Sequence, residues 1–584
     1  MIKILSWNAN GLLKHQQELQ VFLETENIDI CLISETHFTN ESYIRFKGYK
    51  SYHTTHPSNS ARGGSAIIIK GNLSHYESQH YKCEEIQATN IILNCEKYSL
   101  TVSSIYCPPR HQLKQSQYES LFQCLGNRFI LGGDFNAKNI IWGSRLTSTK
   151  GKELYKAIEE LKCQVHSTHK PTYWPTDPDK IPDVIDFFIT KNISSYFVNI
   201  EECYDLNSDH SPILLTLSEN ITFTEINNSL ANKNTNWVGF KEYIENNIIL
   251  NVSIKTHSEI DYEVENLNKI IQNAAWLNTP SYKKHNRTNI YPSEIRNLLQ
   301  EKRRSRRRWQ QTRSPEDKKL LNNLGQNLKR AIQTYKNESF TQFLHGLTNE
   351  ESTNYSLWRV TKKFKKSSEY IPPIKMQNNQ WARSNQQKTD CFAEYLEQIF
   401  SCKENQNNKL DKNPTMEDKD IKFATIKEVY REIEALNSKK SPGYDLINGV
   451  VLKHLPRKGV LKITNIINAS FRLQYMPQLW KVADVIMIPK PGKAPTEVTS
   501  YRPISLLPVI SKIFERIFLA RLKPIIEDKH LIPNHQFGFR EQHSTIDQIH
   551  RITNVIENSL EEKKSVLLYF SMWPKLLTKS GTRV

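Results

Sequence analysis

Seven short apolar, β-branched runs punctuate the first 217 residues, at 2–5, 28–33, 65–69, 101–105, 129–131, 184–189 and 213–217, and turn residues separate them. Runs of three to six such residues read here as buried strands. Helical patterns at 16–24 and 152–161 lie between some of them. A chain patterned in this way is committed to a mixed α/β domain in which several strand ends share one rim.

The residues at those ends give the rim its chemistry. Asn8 follows the first run, Glu35 follows the second, and Asp134 and Asn136 follow the fifth within Gly132-Gly133-Asp134-Phe135-Asn136. Asp209 and His210 immediately precede the last run. Singly, each reads equally well as a turn former or a surface acid. Asp186 says more, because it lies among Val184, Ile185, Phe187 and Phe188, where an ionised carboxylate needs a partner. A histidine is the natural one. A carboxylate, an imidazole and a hard divalent cation together can hold a phosphate, activate water and stabilise a pentacovalent transition state.

Charge points the same way. Lys and Arg number 79 against 61 Asp and Glu, a net +18, which favours partners that carry phosphate. The nine cysteines never fall in a Cys-x-x-Cys pair, so zinc ribbons and disulfide frameworks are disfavoured. No stretch approaches the roughly 20 apolar residues of a membrane helix, and a nuclear or cytoplasmic protein without membrane contact is expected.

From 218 to about 420, strand signals give way to Asn, Gln, Lys and Glu with helical spacing. At the centre of this stretch stand Lys302, Arg303, Arg304, Arg306, Arg307 and Arg308, followed by Trp309. Such a run is either a solvated helix face or a nucleic-acid contact. From about 421 the chain is again apolar-periodic, with Pro and Gly at intervals, and no repeat of fixed period occurs.

Trp7-Asn8-Ala9-Asn10-Gly11, Ser34-Glu35-Thr36-His37, Arg62-Gly63-Gly64-Ser65-Ala66, Tyr106-Cys107-Pro108-Pro109, Gly132-Gly133-Asp134-Phe135-Asn136, Ile185-Asp186-Phe187 and Ser208-Asp209-His210 run in a fixed order. In this they resemble the endonuclease/exonuclease/phosphatase superfamily. The resemblance implies a four-layer sandwich, two sheets face to face with helices outside, and a Mg²⁺- or Mn²⁺-dependent phosphodiesterase site. By that resemblance Glu35 binds the metal, with Asn8 and Asp209 assisting. Asp134 orients or deprotonates water, and Asn136 holds the phosphate. His210 contacts the phosphate oxygen that gains charge, Asp186 fixes its tautomer, and Tyr106 braces the same group. Arg62 and Thr172 are carried over as substrate contacts. The superfamily also contains lipid and inositol phosphatases, so this region alone leaves the substrate open.

Further on, Lys440-Ser441-Pro442-Gly443-Tyr444-Asp445, Ile488-Pro489-Lys490-Pro491-Gly492-Lys493, Tyr501-Arg502-Pro503-Ile504-Ser505 and Gln536-Phe537-Gly538-Phe539-Arg540 resemble the fingers of reverse transcriptases from non-LTR retrotransposons. In that family such elements bind template and nucleoside triphosphate, with Lys490 and Arg502 as the cationic contacts. Trp142-Gly143-Ser144-Arg145 after Gly-Gly-Asp-Phe-Asn is most similar to the jockey-like clade. The implied layout is a nuclease at 1–219, a helical basic connector at 220–420, partial fingers at 421–570 and an aberrant tail at 571–584. Target DNA is the expected partner, with element RNA bound through the connector.

One departure accompanies the match. No Asp or Glu follows Glu562, and Tyr569-Phe570-Ser571-Met572-Trp573 stands where the family has its first metal-binding aspartate. One permitted back-translation of residues 569–584, read in another frame, gives Phe-Leu-Asp-Val-Ala-Lys-Ala-Phe-Asp-Lys-Val-Trp-His-Glu-Gly. The expectation is therefore a frameshift-truncated polyprotein: an endonuclease that leaves a 3′-hydroxyl, with polymerase chemistry lost. The rival readings are a phosphatase of the same superfamily and an inactive nucleic-acid-binding remnant.

Overall fold

The computed structural model describes residues 1–218, 222–223, 229–280, 291–346, 371–376, 378–401, 421–533, 536–537, 540 and 542–564. The chain forms two compact units, Met1–Ile226 with Lys284–Cys391, and Asn227–Lys283 with Phe392–Val584. The stretch expected as one connector is thus divided between them. The expectations that rest on Gly538, Phe539 and residues 569–584 lie outside the described residues.

The first unit is built on β1 (Ile2–Asn8), β2 (Ile30–Ser34), β3 (Tyr49–Thr54), β4 (Ser65–Lys70), β5 (His75–Glu77), β6 (Tyr81–Lys82), β7 (Gln87–Asn94), β8 (Ser99–Tyr106), β9 (Phe129–Asp134), β10 (Gln164–His166), β11 (Asp186–Lys191), β12 (Val198–Glu202) and β13 (Ile213–Leu217). One sheet has the order β12-β13-β1-β2-β4-β3 and the other β10-β11-β9-β8-β7-β5, with β6 on β7. The pairs β1/β2 and β8/β9 are parallel and the remaining pairs antiparallel. All seven expected runs are strands. Six strands are additions, among them the Thr- and Asn-interrupted β7 and the polar strand β3.

Alternation along each strand decides what meets what. Ile4, Ile30, Leu32, Ile67, Val102, Ile130 and Phe188 fill the space between the sheets. Leu5, Trp7, Cys31 and Ile33 point the opposite way, onto α1 (Gln16–Thr25). On the far side, Phe129, Leu131, Phe187 and Ile189 pack on α2 (Gln115–Leu125) and α3 (Thr149–Glu160). Two sheets with helices outside make the four-layer α/β sandwich that the motif order implies. Gly133, at φ +153°, lets β9 lie against β8, since a Cβ there would sit 2.0 Å from the Ile105 carbonyl oxygen.

The next two helices, α4 (Trp237–Asn247) and α5 (His257–Asn278), belong to the second unit, and α6 (Ser293–Thr312) and α7 (Pro315–His345) to the first. Ile295 and Leu299 of α6 and Leu328 and Ile332 of α7 bury a cluster around Val21 of α1. The basic run is therefore part of a helix docked on the sandwich. In the second unit, Phe240, Ile244, Leu267 and Ile271 pack with Val429, Ile463, Ile466 and Ile513. Lys462 and Glu263 form an ion pair of 2.5 Å there, with both side chains about 5% exposed. Strands Asp484–Pro489 and Tyr501–Leu506 pair antiparallel, leaving Val485, Ile486, Ile488 and Ile504 exposed.

Candidate active site

The same alternation that puts Ile4, Leu32, Ile130 and Phe188 between the sheets puts Asn8, Ser34, Asp134 and Asp186 there too, at the strand ends. At one rim the apolar layer gives way to polar side chains, and hydrogen bonds cross between the sheets. Ser34 Oγ donates to the Ile105 carbonyl (2.8 Å), Ser104 Oγ to the Ile33 carbonyl (2.9 Å), and the Asp134 amide to Ser34 Oγ (3.1 Å). Asn8 Nδ2 donates to Asp134 Oδ2 at 2.8 Å. Asp134 and Asp186 are direct partners across the β9/β11 ladder.

Asp186 Oδ2 lies 2.7 Å from His210 Nδ1, with both residues buried. The loop that leads into β13 delivers His210: the His210 amide donates to Ser208 Oγ, whose hydroxyl donates to the Asn8 carbonyl. Tyr173 tilts over the imidazole at 5.0 Å between ring centroids. Asp209 is half-buried beside it, within 3.5 Å of Asn10 Nδ2. Glu35, at φ +51°, turns out of β2 with its carboxylate 3.6 Å from His37 Nε2. Tyr106 is nearly buried at the end of β8, and Gly63 packs so close that a Cβ would stand 3.1 Å from its ring. The Gly63-Gly64 motif thus makes room for Tyr106 and Gln87.

Protonation follows from burial and neighbours. For Asp134, burial and then the charge of Asp186 push the carboxyl up to about 8, against the pull of His210. For His210, burial opposes the charge, yet the charge and hydrogen bond of Asp186, helped by Asp134 and Asp209, raise it to about 10. Glu35 is held below its ordinary range: burial works the other way, but hydrogen bonds with His37, Asn8 and Tyr106 outweigh it. Burial and then the charges of Glu35 and Asp134 push the Tyr106 phenol up.

The donors fit a hard divalent cation. Asp134, Asp186 and His210 bring ligand atoms within 4.8 Å of one another, but the imidazole is already engaged by Asp186, which leaves the carboxylate oxygens of the rim, among them the unpartnered Asp186 Oδ1, as the donors for a cation. With Glu35 and the Asn8 amide at the same rim, oxygen outnumbers nitrogen and no thiolate is involved, as magnesium or manganese requires.

The structure thus gathers Asn8, Glu35, Tyr106, Asp134, Asn136, Asp186, Asp209 and His210. Asn136, at φ +45°, donates from Nδ2 to Asp134 Oδ2 (3.0 Å) and to the Cys107 carbonyl (3.1 Å). Its amide nitrogen is occupied in placing Asp134. Thr172 is buried, and its Oγ1 accepts the amides of Ile185 (3.1 Å) and Asp186 (3.0 Å), so the hydroxyl anchors the start of β11. Arg62 is exposed in the loop before the glycine pair. Lys490 and Arg502 lie in the second unit on one hairpin, where Ile488 pairs with Arg502 and Lys490 Nζ donates to the Thr499 carbonyl (2.8 Å).

The basic run divides on inspection. Arg306 is buried and donates to backbone carbonyls, while Arg303 pairs with Asp205 and Glu26, so neither offers a free cation to phosphate. Arg304, Arg307 and Arg308 remain exposed, Arg307 over the Tyr204 ring and Arg308 paired with Asp317 at 2.9 Å. Sequence reasoning missed the supporting residues Ser34, Tyr173 and Ser208. Ser34 and Ser208 carried a signal, since each opens a motif already singled out, before Glu35 and before Asp209-His210.

Residues 100–214 match the family described as endonuclease-reverse transcriptase, and residues 488–571 match reverse transcriptase (RNA-dependent DNA polymerase). The RNA-directed DNA polymerase from the mobile element jockey of Drosophila melanogaster is 35% identical over 579 residues, covering 96% of this chain and 63% of that protein. The probable RNA-directed DNA polymerase from transposon BS of the same species is 32% identical over 574 residues, again 96% and 63%. This chain spans about 63% of the length of these relatives. Among solved structures, the endonuclease domain of TRAS1, a telomere-specific non-LTR retrotransposon, aligns at 19% identity and a TM-score of 0.32, covering 37% of this chain and 98% of that one.

Proposed function

The chain is homologous along nearly its whole length to RNA-directed DNA polymerases of jockey-type mobile elements, and on that premise we propose that its first unit is a divalent-cation-dependent endonuclease acting on target DNA. The observation that carries the reading is the buried Asp186–His210 pair (2.7 Å) set beside Asp134, Asn8 and Glu35 at one rim. The reaction is hydrolysis of a phosphodiester: water attacks phosphorus, the bond to O3′ breaks, and a 3′-hydroxyl and a 5′-phosphate result.

Each residue has a part in this. Glu35, with Asn8 and Asp209, holds Mg²⁺ or Mn²⁺. When bound, such a cation polarises the phosphate and lowers the pKa of water. Asp134, whose carboxyl is held above its ordinary range by burial and the charge of Asp186, accepts the proton of the attacking water. Asn136 keeps that carboxylate in place and borders the phosphate. His210 donates from Nε2 to the phosphate oxygen that gains charge, since Asp186 holds a proton on Nδ1. Tyr106 braces the same group, and Arg62 is placed to meet the DNA backbone.

Arg304, Arg307 and Arg308 are the exposed cations of the basic helix and its proposed contacts to DNA or element RNA. Among the described residues no helix is long and apolar enough to cross a membrane. In the second unit, Lys490 and Arg502 are proposed phosphate contacts for nucleotide or template.

The chemistry of the nick tests the reading. Plasmid treated with the full chain and Mg²⁺ is offered to an added DNA polymerase with labelled nucleotide. Incorporation without prior phosphatase treatment is expected; ends that need phosphatase first would exclude this bond polarity.

A further inference from the structure

We propose that Arg306, almost a hundred residues beyond the sandwich strand it serves, is a positioning residue of the nuclease site: its buried guanidinium holds the loop that presents Asp209 and His210. The inference rests on the nuclease reading above. Nη1 of Arg306 donates to the carbonyl of Asp205 (3.1 Å) and to that of Leu206, and Nη2 donates to those of Ser208 (3.1 Å) and His210 (2.9 Å). Four carbonyls within six residues thus converge on one side chain. Only arginine offers a planar fork with enough donors for this; lysine is a point charge with three.

The loop needs holding. Leu206 is a non-glycine residue at φ +60°, a left-handed conformation that costs on the order of 1 kcal/mol or more unless its surroundings fix it. The carbonyls around it face the protein, where a missing donor leaves them unsatisfied. Neighbouring contacts from the same helix act on the same segment. Arg303 Nε donates to Asp205 Oδ1 (2.6 Å), and Gln310 Nε2 donates to Ser211 Oγ (2.9 Å).

Helix α6 is itself fixed in place. Lys302 pairs with Glu18, the Tyr291 hydroxyl donates to Glu24 Oε2 (2.6 Å), and Ile295 and Leu299 cover Val21. A rigid helix from outside the sandwich therefore sets the backbone from which His210 reaches Asp186. Misplacing a reacting group by about 1 Å can cost about a hundredfold in rate. The basic run thus contributes at least one residue to geometry and not to phosphate binding.

The test uses the full chain with Arg306→Ala, Arg306→Lys and, as a stability control in α2, away from the loop and from α6, Leu121→Ala. Expected for Arg306→Ala is a fall in kcat for plasmid nicking of about a hundredfold, with KM for DNA within about threefold of wild type. Millimolar guanidinium ion is expected to restore part of the loss, and Arg306→Lys to fall between. Leu121→Ala lowers the unfolding temperature and keeps kcat. Hydrogen exchange without DNA gives a readout independent of activity: Arg306→Ala is expected to speed exchange at residues 205–211. A folded Arg306→Ala with wild-type kcat and exchange would overturn the proposal, as would a raised KM at unchanged kcat, which marks a phosphate contact. A wild-type chain that does not nick, while Arg306→Ala still speeds exchange, would refute the nuclease reading and leave the brace standing.

Discussion

Thr172→Val separates two roles for one residue. The resemblance makes Thr172 a substrate contact; the structure makes its hydroxyl the acceptor for the amides of Ile185 and Asp186, at 3.1 and 3.0 Å. Valine matches threonine in shape but accepts nothing, so two buried donors lose their partner. At about 1–3 kcal/mol for each donor left unsatisfied, the loss is about 2–6 kcal/mol. For a unit of this size that lowers the unfolding temperature by roughly 3–9 °C. Thr172→Ser keeps the hydroxyl and removes one methyl, a loss of about 1 kcal/mol. The assay is the temperature at which brief heating of the full chain halves its nicking activity, with KM measured well below it. Expected is a large drop for valine, a small one for serine, and a KM near wild type for both. A valine variant as heat-resistant as the serine variant, with KM raised several-fold, would refute the reasoning and return Thr172 to the substrate.

Asp186→Asn leaves the backbone of β11 in place but removes the charge that orients His210. It is expected to lower kcat by about 10²–10⁴ with KM little changed, and wild-type turnover would sink the role given to the pair. Gly133→Ala places a methyl 2.0 Å from the Ile105 carbonyl oxygen, whereas the nearest atom to a Cβ at Gly71 is 3.5 Å away. The first is expected to lose about 3 kcal/mol or more and much soluble yield, the second little; equal melting temperatures would contradict the close approach of β8 and β9. Replacing Arg304, Arg307 and Arg308 together with Gln is expected to flatten the slope of log affinity against log salt, by up to roughly 0.9 for each phosphate that the helix no longer neutralises. Anisotropy on duplex DNA between about 50 and 200 mM salt, in EDTA, is the measurement. An unchanged slope removes the helix from the DNA interface.

Much of the rim was legible in the sequence for a simple reason. Strand alternation carries a polar residue onto the buried face wherever it keeps step with Ile4, Leu32 or Ile130, as Asn8, Ser34 and Asp134 do. Asp186 stood out as a carboxylate among apolar neighbours, and its histidine is where the motif order implied. Strands β3 and β7 were not read because Lys, Ser and His in one and Thr and Asn in the other dilute the apolar pattern. The basic helix shows where pattern stops being informative. Its charge is visible in sequence, but the carbonyls that receive Arg306 lie about a hundred residues away in a loop of unremarkable composition. Thr172 is hidden for a related cause, since a hydroxyl that serves backbone amides looks the same in sequence as one that serves a ligand.

The central claim is that the rim holding Glu35, Asp134, Asp186 and His210 cuts DNA. It is tested most directly by incubating supercoiled plasmid with the full chain in Mg²⁺ and in EDTA, beside Glu35→Ala and His210→Ala. The account predicts conversion to open circles in Mg²⁺ only, lost in both variants while their melting is retained. Plasmid left supercoiled by a folded wild-type chain that releases phosphate from inositol phosphates would contradict it.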